Sequence, residues 1–211
     1  MSAPRYIAVE GPVRVGKSSL ARILAGRMQA RLLVEPENNP HLAGFYAGEP
    51  GAAFRAQMHF LIERYRQLAP LGTERLAQPT VADYLFEKDK IFAYINLSDA
   101  ELAVYNQYFE LLRPQIGLPD LVIYLQASPE VLRQRMQRKN LASEQQVSDE
   151  YLGEVAKAYD HFFFRYNLTD LLVINTSEID FVENDRDLEE LMSRLTEPTA
   201  GTQFYLPLGT P

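Results

Sequence analysis

Residues 11–18 read Gly-Pro-Val-Arg-Val-Gly-Lys-Ser and fill the pattern G-x-x-x-x-G-K-[ST] completely. That spacing serves one kind of chemistry. Glycines leave room for backbone N–H groups to turn inward onto phosphate oxygens, where a side chain would intrude. The lysine reaches the β- and γ-phosphates of a nucleoside triphosphate, and the hydroxyl beside it ligates magnesium. Gly11, Pro12, Val13, Arg14, Val15, Gly16, Lys17, Ser18 and Ser19 are therefore the expected cradle for ATP, with Ser18 on the Mg2+. The apolar run YIAVE leads into this loop and a helical pattern leads out of it. A helix starting there turns its positive end toward the phosphates.

Other residues could do chemistry beside such a loop. Asp83 ends an apolar strand-like run, where an acid can take a proton from an acceptor hydroxyl and help hold magnesium; Glu87 and Asp89 are weaker choices. Gln57 and Arg64 stand seven apart in a helical pattern and project from one face. A buried primary amide offers a donor and an acceptor side by side, which suits the edge of a nucleobase. VLRQRMQRKN carries Arg135, Arg138 and Lys139, either a lid over a triphosphate or a solvated cationic helix end. Taken alone, Glu35 reads equally as a solvated loop acid, Tyr46 as an aromatic cap on the core and Gln57 as a surface amide. His41, His59 and His161 have no ligand spacing and no cysteine to join them, which argues against a metal site built on histidine.

The elements that must position these residues alternate short apolar runs with longer amphipathic ones. Strands are expected at about Tyr6–Glu10, Leu32–Glu35, Thr80–Tyr84, Leu121–Gln126 and Leu171–Asn175. LVIYL and LLVIN are apolar on both faces, as a parallel sheet covered on both sides requires. Helical periodicity runs through Lys17–Gln29, Ala53–Leu68, Asp99–Leu112, Pro129–Arg138, Asp149–Tyr166 and Asp185–Leu195, with start signatures at Ser98, Ser128 and Ser148. The expectation is an α/β fold: a five-stranded parallel sheet flanked by helices in three layers, the site at the carboxyl ends of the strands. Residues 1–196 read as one domain, and the Pro-, Gly- and Thr-rich tail 197–211 as lacking regular structure.

A formal charge of −7 argues against a mainly electrostatic nucleic-acid binder, and the absence of cysteine excludes disulfides and thiolate metal sites. No secretory leader and no membrane span are legible, so a cytoplasmic setting is expected.

From about residue 5 to residue 195 the chain resembles the deoxyribonucleoside kinase family, in its bacterial deoxyadenosine/deoxyguanosine kinase branch. Four segments carry the likeness besides the loop: VEPENNPHLAGFY, FRAQMHFLIERYRQL, TVADYLFEKDKIFA and VLRQRMQRKN followed by ASEQQ. The resemblance implies that Glu35 binds near the deoxyribose 5′-hydroxyl, Tyr46 touches the 3′-hydroxyl and Gln57 pairs with the base. It implies Asp83 as the carboxylate after the third strand that takes the 5′-hydroxyl proton, and Arg135 and Arg138 as catalytic cations in a lid at about 133–146. Backbone groups near Asp180 and Phe181, in NTSEIDFVEND, would hold the donor adenine, and two helices from each subunit would build a homodimer.

Two departures stand out. The family follows its acid with arginine, whereas Asp83 is followed by Tyr84, which leaves Lys88 or Arg64 as the candidate substitutes for that cation. The lid is one residue short and lacks its last arginine. The function implied is transfer of the ATP γ-phosphoryl group to the 5′-hydroxyl of a deoxynucleoside, with purines favoured by Asn-Asn-Pro after Pro36 and Glu37. A nucleoside monophosphate kinase of the thymidylate kinase type and a nucleotide-binding regulatory protein without turnover are the alternatives.

Overall fold

The computed structural model describes residues 4–36, 38–73, 78–140, 147–197 and 199–207. The chain runs β1 (Tyr6–Glu10), α1 (Lys17–Met28), β2 (Arg31–Leu33), α2 (Leu42–Tyr46), α3 (Ala52–Thr73), β3 (Thr80–Ala82), α4 (Lys88–Asn96) and α5 (Asp99–Leu112). A 3₁₀ turn (Arg113–Gln115) leads on to β4 (Leu121–Gln126), α6 (Pro129–Lys139), α7 (Asp149–Phe164), β5 (Asp170–Asn175), α8 (Asp185–Thr196) and β6 (Thr202–Tyr205). These elements form two compact units: unit 1 is Met1–Val34, Gln78–Leu85 and Pro119–Pro211, and unit 2 is Glu35–Ala77 and Phe86–Leu118.

Unit 1 holds the sheet, in the order β2-β3-β1-β4-β5-β6 with every neighbouring pair parallel. Alternate strand side chains face opposite ways. Ile7, Val9, Ile123, Leu125, Leu172 and Ile174 enter one apolar cluster with Leu20 and Leu24 of α1, Leu132 of α6 and Leu191 of α8. Tyr124, from the intervening set, stacks on Phe163 of α7 at 4.1 Å between ring centroids. Both faces are thus covered, which is why β4 is apolar from Leu121 to Leu125 and β5 from Leu171 to Ile174. The Asp120 carboxylate takes the N–H groups of Arg5 and Tyr6 at 2.7 and 2.8 Å and so pins the start of β1 beside β4. Ser128 and Ser148 cap α6 and α7 by accepting from Val131 and Tyr151.

The sheet has six strands, one more than the sequence pattern suggests, and the sixth lies in the segment expected to be irregular. β6 pairs with β5 from Leu171↔Thr202 to Ile174↔Tyr205. The flanking Gly and Pro mask it, and pairing with β5 supplies the hydrogen bonds that so short a segment cannot provide for itself. Tyr205 packs on the core and its hydroxyl donates to Glu190 at 2.9 Å, whereas Phe204 is 67% exposed.

Unit 2 is helical. Glu101 takes both the N–H and the hydroxyl of Ser98, at 3.0 and 2.7 Å, and fixes the start of α5. Phe86 stacks on Phe109 of α5, 5.1 Å between centroids. The helix α4 has no counterpart in the sequence reading, because its N-cap is Glu87 in helical conformation with no side-chain cap, so the usual start signature is missing. Glu87 is buried and pairs with Arg113 of the 3₁₀ turn, which gives this acid a structural partner.

Two predictions test these features. Tyr205→Asp should lower the unfolding free energy by about 1–3 kcal/mol for a polar group forced onto the core, while Phe204→Asp stays within about 0.5 kcal/mol. Equal effects in urea unfolding would mean that the register of β6 is wrong. Burial lifts the Glu87 carboxyl above the ordinary carboxylate value, against the pull of Arg113. The folded chain then holds this proton where the unfolded chain has lost it. Its stabilisation is complete below the unfolded value of about 4.3 and declines as pH rises through the raised one. Glu87→Gln should flatten that decline in unfolding midpoints measured from acid to neutral pH; parallel curves would refute it.

Candidate active site

In unit 1 the loop between β1 and α1 is shaped by close approach. A Cβ on Gly11 would lie 2.3 Å from the Leu125 carbonyl oxygen, and one on Gly16 would lie 2.6 Å from the Phe181 ring. Gly16 has φ 109, a left-handed backbone that glycine tolerates, and Arg14 has φ 63. Alternation of this kind turns successive N–H groups to one side, an anion-binding concavity. The first bond inside α1 runs from the Leu20 N–H to the Gly16 carbonyl at 3.0 Å. Gly16 offers no side-chain cap and the first turn has no acid, so the helix keeps its positive end for an anion. Lys17 Nζ donates to the carbonyls of Gly11 and Pro12 at 2.7 and 3.0 Å, which lays the ammonium along the loop. Ser18 and Ser19 stand in the first turn of α1.

Asp83 follows β3, is buried, and its N–H continues the ladder by donating to the Leu33 carbonyl at 3.0 Å. Tyr84, at the position where the family has arginine, is a fully buried core aromatic. The departure is therefore a packing residue.

The cationic helix α6 splits its roles. Arg135 donates to the Val15 carbonyl at 3.3 Å, the Thr176 hydroxyl and carbonyl at 3.1 and 2.7 Å, and the Ile179 carbonyl at 2.9 Å. Burial pushes its pKa down and the Asp180 carboxylate pushes it up, yet a guanidinium stays charged. Arg135 thus braces the phosphate loop against the 176–179 segment. Arg138 pairs with Asp180 at 3.0 Å on the surface. Of the lid expected at 133–146, residues 141–146 lie outside the described residues. Phe181 is buried against Gly16, so what the 180–181 segment can offer a base is its backbone.

Unit 2 gathers a second polar cluster. Glu35 Oε1 accepts from Arg64 Nε and Nη2 at 3.2 and 2.6 Å, and Oε2 accepts from Lys88 Nζ at 2.6 Å. Arg64 also pairs with Asp89, and the Tyr105 hydroxyl donates to Asp89 Oδ2 at 2.8 Å. Burial pushes the Tyr105 phenol far above its ordinary value, so it remains a donor. Gln57 is buried on the same face of α3 and its amide nitrogen donates to the Asp89 carbonyl at 2.9 Å. A carbonyl only accepts, so this bond fixes which way the amide points. The sequence spacing of Gln57 and Arg64 gave away their shared face, whereas Asp89 and Tyr105 sit on α4 and α5 and carry no signal of their partnership.

Tyr46, at the end of α2, is 49% exposed and its ring contacts Phe45. In the Asn-Asn-Pro segment the buried Asn39 donates to the Ala56 carbonyl at 2.9 Å and accepts from the His41 N–H at 3.0 Å. That residue ties the loop to α3. Among the described residues no cluster of three or more His, Cys, Asp or Glu could hold a metal, and no helix is long and apolar enough to cross a membrane.

The chain as a whole is similar to proteins of known activity. The deoxyguanosine kinase of Bacillus subtilis (strain 168) is 30% identical over 204 residues, spanning 93% of this chain and 99% of its own length. The deoxyadenosine/deoxycytidine kinase of the same organism is 27% identical over 198 residues, 90% of each chain. In fold, the deoxyadenosine kinase from M. mycoides with bound dATP matches with a TM-score of 0.77 at 22% identity, over 92% of this chain and 100% of that one. A model of the deoxynucleoside kinase family matches residues 7–199, from the second residue of β1 past the end of α8, and the chain belongs to that family.

Proposed function

We propose that the chain transfers the γ-phosphoryl group of ATP to the 5′-hydroxyl of a deoxynucleoside, with a purine deoxynucleoside as the favoured acceptor. Unit 1 supplies the phosphate cradle at residues 11–18, with Lys17 on the β- and γ-phosphates and Asp83 accepting the hydroxyl proton. Unit 2 supplies nucleoside recognition: Glu35 as an orienting acceptor between two cations, Gln57 for the base and Tyr46 for the sugar. Such transfer asks for positioning and electrostatics and needs no covalent nucleophile. Arg138 and the backbone near Asp180 and Phe181 belong to the donor side.

The observation that carries this reading is the pairing in unit 2. An acceptor that already bears a phosphate needs uncommitted cations, but Arg64 and Lys88 are matched by Glu35 and Asp89. A neutral nucleoside suits that balance better than a monophosphate. The purine preference is supported by relatives described as deoxyguanosine and deoxyadenosine kinases. Gln57, held by its nitrogen, leaves its oxygen to accept from a base N–H.

Magnesium fits the residues at hand, because it asks for one or two protein oxygens and takes the rest from phosphates and water. The Ser18 hydroxyl and the Asp83 carboxylate are of the right chemistry. When bound, the ion neutralises charge on the transferred group. A homodimer is supported by Val104, Tyr108 and Leu111 of α5, which form one helical stripe and are 42%, 50% and 65% exposed. The cytoplasmic setting rests on the cysteine-free sequence.

Lys17→Ala should lower turnover by orders of magnitude with the fold intact by circular dichroism; an unchanged steady-state rate would sink the cradle mechanism. Asp83→Asn should lose about 10²-fold or more in kcat, and a far larger loss from Glu35→Gln would reverse the two roles. Gln57→Leu should reduce kcat/KM for the preferred deoxynucleoside about 10- to 100-fold while ATP binding persists. The panel is deoxyadenosine, deoxyguanosine, deoxycytidine, thymidine and their monophosphates. Preference for a pyrimidine refutes the purine assignment, and preference for a monophosphate refutes the nucleoside reading.

A further inference from the structure

Glu10 is the last residue of β1 and the side chain immediately before the cradle, and it is fully buried although the transfer described above gives it no task. Its two oxygens collect three donors. Oε1 takes the Gly11 N–H at 2.8 Å and the Tyr159 hydroxyl at 3.2 Å; Oε2 takes the Leu85 N–H at 2.8 Å. A buried carboxylate is costly unless such bonds satisfy it, and an apolar residue would fill a sheet position more simply.

The bonds join places that the sheet itself does not. The β1–β3 ladder ends at Ala8↔Ala82. Beyond that pair β1 runs into the cradle and β3 into Asp83, and the Glu10 side chain replaces the lost ladder by holding the Leu85 peptide. On the other side it holds Gly11, whose carbonyl receives Lys17 Nζ at 2.7 Å. Both polar groups of Gly11 are therefore fixed, one by Glu10 and the other by the catalytic lysine.

We propose that Glu10 is a positioning residue for phosphoryl transfer: its carboxylate clamps the first peptide of the cradle to the strand end that carries Asp83. The proposal rests on the role assigned to Asp83 above. A carboxylate has two oxygens that only accept. An amide of the same shape has one, and its NH2 would confront either the Gly11 or the Leu85 N–H, so Glu10→Gln opens one arm of the clamp with almost no change in volume.

The test is a double-mutant cycle in the full-length enzyme, with kcat, KM for the deoxynucleoside and melting temperature measured for Glu10→Gln, Asp83→Asn and the pair. Glu10→Gln should lower kcat about 10- to 100-fold, the scale expected when a reacting group is misplaced by about 1 Å. KM for the deoxynucleoside should stay within about threefold, and the double variant within about threefold of Asp83→Asn alone, since groups acting as a unit are not additive. Leu191→Val, a core change on α8, should lower the melting temperature with kcat within about twofold, which separates positioning from stability. Glu10→Asp keeps both oxygens one methylene short and is read in the same way should Glu10→Gln fail to fold. A normal kcat for the Glu10 variants beside an impaired Asp83→Asn overturns this inference alone, as do losses that multiply in the double variant. An unimpaired Asp83→Asn overturns the assignment of Asp83 and this inference with it.

Discussion

The chain must leave β1, pass beneath the Leu125 carbonyl at the end of β4, and enter α1 within six residues, and the architecture of unit 1 follows from that passage. A Cβ on Gly11 would meet the carbonyl oxygen at 2.3 Å, so only glycine lets the two backbones come so close. The approach exists because β1 lies between β3 and β4 in a parallel ladder that brings their carboxyl ends to one edge. A loop of inward N–H groups and the positive end of α1 then stand together at that edge, an arrangement that binds phosphate before any side chain contributes. Lys17 and Arg135 add to it differently. The first is a cation lying along the loop; the second is spent on carbonyls that hold the loop and the 176–179 segment in one piece.

Unit 2 depends on charge balance. Two acids and two cations, Glu35, Asp89, Arg64 and Lys88, are drawn from the segment after β2 and from α3 and α4, and three of them are almost completely buried. Removing such charges from water is expensive, and mutual attraction offsets it only where geometry is good and remaining lone pairs are met. Tyr105 and Gln57 meet two of them, at the Asp89 side chain and carbonyl. The network is therefore weak evidence for stability and better evidence for a fixed arrangement of polar groups, which is what recognition of a nucleoside requires.

How much of this was legible in the chain varies with the physics. The cradle, the doubly apolar strands and the capped helices were readable, because each is dictated locally: by glycine at positions where backbones touch, by apolar faces on both sides, by Ser at a helix start. The shared face of Gln57 and Arg64 was readable from helical spacing. The strand β6 and the helix α4 were not, since one borrows its hydrogen bonds from β5 and the other begins without a capping residue. The exposed stripe on α5 was hidden for a related reason: Val104, Tyr108 and Leu111 look like any core-facing set until the fold turns another face of α5, with Tyr105 and Phe109, inward.

The amino-acid sequence by itself determined the class of ligand and the kind of fold, because phosphate binding and parallel-sheet burial leave a local, periodic trace. Tertiary structure alone decided which groups work together. Arg135, read as a lid cation, also braces the phosphate loop, and Asn39, read as part of a mark of base preference, also ties a loop to α3. Glu10 looked like the polar end of a strand and holds Gly11, Leu85 and Tyr159, the last of them 149 positions away from it. A hydrogen bond is made across space between groups with no periodic relation in sequence, so its partners become known only when the chain is folded.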